Sequence, residues 1–121
     1  MTKKEKPRDI RERTFSFAVE IVKLCHQIEK ETGVFKTLGR QLLRSGTSIG
    51  ANVEEAKAGQ SRADFANKYA IALKEARETI YWLRLLRETG SARDGEIGNL
   101  IQEADEISKI IGSIIVNAKR N

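Results

Sequence analysis

Apolar residues recur at helical spacing in four stretches of the chain, and each stretch is bounded by residue types that begin or end helices. Gly33, Gly59 and Gly90 follow the first three stretches, and Ser61 and Asp94 are capping residues ahead of the last two. We therefore predict helices over residues 9–31, 37–58, 62–89 and 94–119. The connections are short, which favours antiparallel neighbours. The expected fold class is all-α, an up-down antiparallel four-helix bundle at 9–121, preceded by a flexible basic arm at 1–8.

Two of the predicted helices are apolar on two sides, whereas a four-helix bundle buries one stripe per helix. In the first helix, Phe15, Ala18, Val22 and Cys25 form the stripe that we predict to face the core. The second apolar side of the first helix contains Phe17, Ile21, Leu24 and Ile28, and that of the third helix contains Ile71, Trp82 and Leu85. We predict that they contact another copy of the chain in a homo-oligomer. The alternative is that both stripes form one broad face turned to the core.

Composition agrees with a single helical domain. The chain has 121 residues with one proline and 6% aromatic residues, which leaves few residues suited to short strands and tight turns. Its net charge of +5 fits nucleic acid, an acidic protein or an anionic surface as partner, and the excess lies in the first 13 residues and around the second helix. No apolar run reaches the roughly 20 residues of a membrane span, and the start lacks a signal peptide. We expect a soluble, cytoplasmic protein with no membrane partner.

The residues that usually carry chemistry are sparse. Cys25 is the only cysteine and His26 the only histidine, so an internal disulfide is excluded and a zinc site, which takes three or four ligands, is not expected. His26 lies on another helix than the serines of the second helix, and no glycine-rich loop follows a strand. We expect no catalytic residues, no cofactor and no metal, and therefore a protein that is not an enzyme.

The second helix contains an unusual run of small and polar residues between Arg44 and Ala56. Gly46 and Gly50 would let a neighbouring helix approach closely. Ser48, Asn52 and Glu55 flank the core stripe, and we predict that they form a polar network that sets the register against the third helix. The partners available there are Lys68, Lys74, Glu75 and Arg77. The alternative is a phosphate pocket whose donors are Arg40, Arg44, Lys57 and Arg62.

The residues of this run and of the third helix resemble those of a known protein family. The pattern Arg44-x-x-x-Ser-Ile-x-x-Asn-Val-x-Glu55, followed by Phe65 and by the segment 72–83 (ALKEARETIYWL), resembles the 23S rRNA intervening-sequence protein family of bacteria. The resemblance covers nearly the whole chain. It implies a four-helix bundle that assembles as a ring-like homopentamer, with no established enzymatic activity. A related branch, the accessory variability determinant of diversity-generating retroelements, is a basic pentamer that binds nucleic acid and a reverse transcriptase. Many members have proline where this chain has Gly50, so a looser backbone is expected there.

Together these observations predict a non-enzymatic, oligomeric bundle that binds RNA, or less favourably DNA, through phosphates. The candidate contacts are Arg40, Arg44, Lys57, Arg62, Arg77, Arg84 and Arg87. Trp82, beside Tyr81, could stack on an unpaired base, although a subunit contact is the favoured role. The alternative function is a protein-interaction scaffold that presents basic patches to an acidic partner or a polymerase.

Overall fold

The computed structural model describes residues 9–58, 61–90 and 94–120, and these residues form four helices and no strand. The helices are α1 (Ile10–Ile28), α2 (Val34–Lys57), α3 (Arg62–Glu88) and α4 (Asp94–Arg120). The number and order of the helices confirm the prediction from periodicity. The basic arm predicted at 1–8 and the helix stop predicted at Gly59 lie outside the described residues.

The helix ends follow from capping side chains and from two glycines. Asp9 accepts a hydrogen bond from the backbone N–H of Glu12 at 2.9 Å, and Ser61 accepts one from that of Asp64 at 3.1 Å. Gly33 and Gly90 have φ values of 65° and 97°, a region that favours glycine. Because Gly33 is the N-cap of α2, that helix begins three residues before the predicted start, and α1 ends three residues earlier than predicted.

Each helix packs against its neighbours in sequence, and α1 also contacts α4, although less extensively. The α2–α3 pairs Arg44 with Glu78 and Glu55 with Lys68 run in opposite directions along the chain, so the two helices are antiparallel. Arg13 of α1 joins α4 by ion pairs of 2.7 Å to Glu103 and 2.8 Å to Glu106, which raise the pKa of its guanidinium. The arrangement is consistent with the predicted four-helix bundle.

The core is built from one stripe of each helix and contains one buried polar pair between α2 and α3. The Oγ1 atom of Thr79 lies 2.9 Å from Ser45 Oγ and 2.7 Å from the carbonyl oxygen of Glu75. Both hydroxyl side chains are fully buried, and no buried side-chain polar atom of the described residues lacks a partner. The pair therefore ties α2 to α3 without leaving an unsatisfied group.

The orientation predicted for α1 is wrong. The four residues that were assigned to a subunit contact, Phe17, Ile21, Leu24 and Ile28, are 0–4% exposed and lie in the core of the chain itself. Two residues of the stripe predicted to face the core point outward instead, with Phe15 69% and Val22 48% exposed, although Cys25 is buried. Helix α1 is thus apolar on two sides, but the side predicted to face outward is buried and most of the side predicted to face the core is exposed.

Glycines of α2 explain which side of α1 turns inward. A Cβ atom built on Gly39 would lie 2.7 Å from Ile28 Cγ2, and one built on Gly46 would lie 2.8 Å from Ile21 Cγ2. Since real Cβ atoms do not approach so closely, the isoleucines occupy space that only glycine leaves open. The predicted close approach at Gly46 is confirmed, and it selects the isoleucine side of α1 as the buried one.

Ile71, Trp82 and Leu85 of α3 are half-buried, so they are neither core residues nor a free outer stripe. Trp82 packs against the core from the flank of α3. None of the described helices combines the length and apolarity needed to cross a bilayer.

Candidate nucleic-acid interface

The outward face of α3 carries basic residues with one tyrosine among them. Lys74, Arg77, Tyr81 and Arg84 follow one another at steps of three and four, and all are exposed, so they share the side of α3 away from its buried residues. We call these four residues the α3 stripe. At 1.5 Å per residue, the stripe extends over about 15 Å of the helix axis.

The three cations of the α3 stripe make no ion pair within the described residues. The neighbouring glutamates of the same helix are engaged with α2: Arg44 forms an ion pair with Glu78 and lies 3.4 Å from Glu75. Glu78 and Glu88 lie one turn beyond Lys74 and Arg84, but Glu78 pairs with Arg44 and Glu88 lies 3.6 Å from Arg87, so neither carboxylate pairs with a cation of the stripe. Such a row of free cations attracts polyanions.

Arg40 and Arg44, predicted as contacts for nucleic acid, are held by carboxylates of the chain. Arg40 Nη2 lies 3.0 Å from Glu29 Oε2, and this hydrogen bond lowers the pKa of the Glu29 carboxyl. A guanidinium that already binds a carboxylate must give up that partner to meet a phosphate in the same way. These two residues are therefore ion-pair partners between elements of the fold rather than free cations.

The other predicted contacts do not form one patch. Lys57 is exposed in the last turn of α2 and Arg62 in the first turn of α3, so both lie at one end of the bundle. Arg87 is half-buried and lies 3.6 Å from Glu88. Of the seven predicted cations, only Arg77 and Arg84 belong to the α3 stripe. From the sequence, Lys74 was predicted only as a polar partner for the second helix. Its position three residues before Arg77 could have shown that the two side chains share one face of the helix.

The polar residues of α2 have mostly local partners. Glu55 bridges to α3, because its carboxylate accepts a hydrogen bond from Lys68 Nζ at 2.7 Å. Ser48 Oγ donates to the carbonyl of Arg44 at 2.7 Å, and Asn52 Nδ2 donates to the carbonyl of Ser48 at 2.9 Å. Ser48 and Asn52 thus bond within α2 and do not bridge to α3, which corrects the predicted network.

Tyr81 and Trp82 have different surroundings. The Tyr81 side chain is 55% exposed, and Trp82 is half-buried, with its Nε1–H donating to Glu78 Oε2 at 3.0 Å. The two rings meet edge to face, with centroids 5.3 Å apart and planes inclined by 71°. The residue available to stack on a base is therefore Tyr81, not Trp82.

A second exposed surface follows the groove between α1 and α2. It contains two hollows of about 410 Å³ and 240 Å³. Its main apolar residues, which define what we call the α1–α2 groove, are Phe15, Ala18, Val22, Leu43 and Ala51. The ion pairs Arg11–Glu54 and Arg40–Glu29 border it at its two ends. The groove is an apolar surface on the side of the bundle that bears α1, and the α3 stripe lies on another helix.

Comparison with known proteins identifies the family. The model of the 23S rRNA-intervening sequence protein family matches residues 6–113. The chain belongs to this family. The chain is similar to a solved structure of a protein with unknown function from the S23 ribosomal protein family, from Bacteroides thetaiotaomicron VPI-5482. The two share 45% sequence identity with a TM-score of 0.82, and the match covers 88% of this chain and 98% of the other. No curated protein matches the chain.

At Gly50, where the resemblance to the 23S rRNA-intervening sequence proteins led us to expect a looser backbone, α2 continues without a break. A Cβ atom at this position would lie 3.3 Å from the carbonyl oxygen of Thr14, so α1 approaches α2 closely here.

The remaining candidate groups of this family member have no reactive setting. Burial raises the pKa of the Cys25 thiol to about 12, and Cys25 Sγ lies 3.4 Å from the carbonyl oxygen of Gly39. A thiol with such a pKa is protonated at neutral pH and is a poor nucleophile. His26 is exposed, and among the described residues no three potential metal ligands come together.

Proposed function

We propose that this protein binds nucleic acid, RNA in preference to DNA, through the phosphate backbone, and that it does so as an oligomer and without catalysis. The observation that carries the proposal is the α3 stripe, in which three cations lack ion-pair partners among the described residues. Phosphate contacts by lysine and arginine supply most of the sequence-independent affinity for nucleic acid. RNA is preferred because the family is described by its connection to 23S rRNA.

We propose that copies of the chain contact each other through the α1–α2 groove. It replaces the α1 residues first predicted for this contact, which are buried in the core. Phe15, Val22 and Leu43 are large apolar side chains exposed on this surface, and together they are the kind of patch that subunit interfaces bury. The resemblance implies a homopentamer. Five copies with +5 each would carry about +25 on one assembly, which multiplies weak contacts with a polyanion.

Binding is tested with fluorescently labelled RNA in an anisotropy titration at several salt concentrations. Three phosphate contacts per copy predict that the logarithm of the affinity falls with the logarithm of salt concentration, with a slope of about −2 for each copy that a single strand contacts. The variant K74Q/R77Q/R84Q should lose most of this binding. Its control, K30Q/K119Q/R120Q, removes the same charge from exposed positions outside α3 and should retain it. Equal losses in the two variants, or binding that does not depend on salt, would overturn the proposal.

Assembly is tested by light scattering coupled to size exclusion. A pentamer of the 13.6 kDa chain has a mass of about 68 kDa, and Phe15→Ser with Val22→Ser should shift the protein toward 13.6 kDa. Val116→Ser, at an exposed position on α4, is the control and should leave the mass unchanged. A wild-type particle of 13.6 kDa would refute the oligomer. An acidic protein partner that remains bound after nuclease treatment, together with no retention of RNA, would favour the scaffold function instead.

A further inference from the structure

We infer that the α3 stripe binds nucleic acid as an unpaired strand, with one base stacked on the ring of Tyr81. The inference rests on the function proposed above and adds the structural state of the ligand. Its starting point is position: Tyr81 lies four residues after Arg77 and three residues before Arg84 on one exposed face. An aromatic ring between two free guanidinium groups combines a platform for a base with donors for the phosphates on either side.

The Tyr81 ring contacts a neighbouring ring that is itself hydrogen-bonded. Trp82 meets it edge to face at 5.3 Å, and the indole is itself held by its hydrogen bond to Glu78. Glu78 is in turn fixed by the ion pair with Arg44 from α2. A ring that is already oriented loses less conformational freedom on binding than a mobile one. Arg44 is therefore a positioning residue that acts on the stripe through Glu78 and Trp82.

An unpaired strand fits this surface better than a duplex. In a duplex, both faces of each base are covered by the neighbouring base pairs, so the exposed Tyr81 ring would find no free base to stack on. The cations alone would bind single strands and duplexes alike, since both present phosphates. The stripe spans about 15 Å, and a stacked strand advances about 3.4 Å per nucleotide, so one copy would contact roughly four nucleotides.

The test compares a labelled oligouridylate with a labelled RNA duplex in the same anisotropy titration. Wild-type protein should prefer the oligouridylate. Tyr81→Ala should weaken its binding by about 5- to 150-fold, which is the factor that corresponds to the loss of one base–aromatic stack, and should leave duplex binding unchanged. Tyr81→Phe keeps the ring and should bind the oligouridylate as the wild type does. Because Tyr81 is exposed, neither substitution should affect folding, which circular dichroism verifies.

The outcomes separate this inference from the proposed function. If K74Q/R77Q/R84Q loses binding while Tyr81→Ala weakens neither ligand, the function stands and the stacked base is overturned. If Tyr81→Ala weakens oligouridylate and duplex equally, the preference for an unpaired strand is overturned. If neither variant alters binding, both proposals fail.

The positioning role of Arg44 has its own readout. Arg44→Gln should change the fluorescence of Trp82, the single tryptophan, and weaken oligouridylate binding without affecting the duplex. An equal effect on both ligands, or no effect on either, would overturn the positioning role, because the loss of one positive charge weakens the binding of any polyanion.

Discussion

The close packing of α1 on α2 predicts that alanine at Gly46 destabilises the protein, although alanine is the better helix former. The new Cβ would lie 2.8 Å from Cγ2, 3.0 Å from Cγ1 and 3.3 Å from Cβ of Ile21. The whole side chain of Ile21, not only its tip, would therefore have to move. It is fully buried and β-branched, so it has neither empty space nor an easy alternative rotamer.

The size of the effect follows from two opposing contributions. Alanine in place of glycine in a helix interior stabilises by about 1 kcal/mol. Overpacking a core typically costs about 1–3 kcal/mol, and the stiffness of Ile21 favours the upper part of that range. We therefore expect Gly46→Ala to lower the free energy of unfolding by about 1–2 kcal/mol. Gly112→Ala on α4 is the matched control: a Cβ there has no atom within 4 Å, so this variant should gain about 1 kcal/mol.

The measurement is urea unfolding followed by circular dichroism, with all variants at one protein concentration because oligomerisation would couple stability to concentration. In an Ile21→Ala background the clashing γ atoms are absent, so Gly46→Ala should there be neutral or stabilising. The reasoning fails if the alanines at Gly46 and Gly112 stabilise equally, or if the cost at Gly46 is the same with and without the Ile21 side chain.

Three further predictions concern individual side chains. Thr79→Val should lower the free energy of unfolding by about 1–2 kcal/mol, because it leaves the buried Ser45 hydroxyl without its main partner. Ser45→Ala should cost less, since Thr79 still bonds to the carbonyl oxygen of Glu75, and urea unfolding compares the two variants. Cys25, with its pKa raised by burial, should react with a thiol reagent at pH 8 far more slowly in the native protein than in urea, and equal rates would contradict this. The pKa of Glu29 is lowered, so its contribution to stability is present above the unfolded pKa and is lost as pH falls through the folded pKa; an NMR titration should show that Arg40→Ala returns this pKa toward its ordinary value.

The candidate interface could be predicted only in part. Arg77 and Arg84 were identified from their charge and their place in the third helix, and the structure leaves both without an ion pair in the described part of the chain. Arg40 and Arg44 have the same residue type, and their engagement with Glu29 and Glu78 depends on carboxylates that folding brings from other elements. The sequence shows which residues are charged, but only the folded structure shows which of these charges are paired with an opposite charge.

The sequence by itself determined the number, order and approximate ends of the helices, because apolar periodicity, capping side chains and glycines act over a few neighbouring residues. It also identified the family, through motifs that occupy the second and third helices. Only the tertiary structure decided which apolar side of α1 is buried. Both sides are compatible with a helix, and the choice depends on Gly39 and Gly46 of α2, whose missing side chains admit Ile28 and Ile21. A preference of this kind arises only when the two helix surfaces meet, so it cannot be derived from the periodicity of either one.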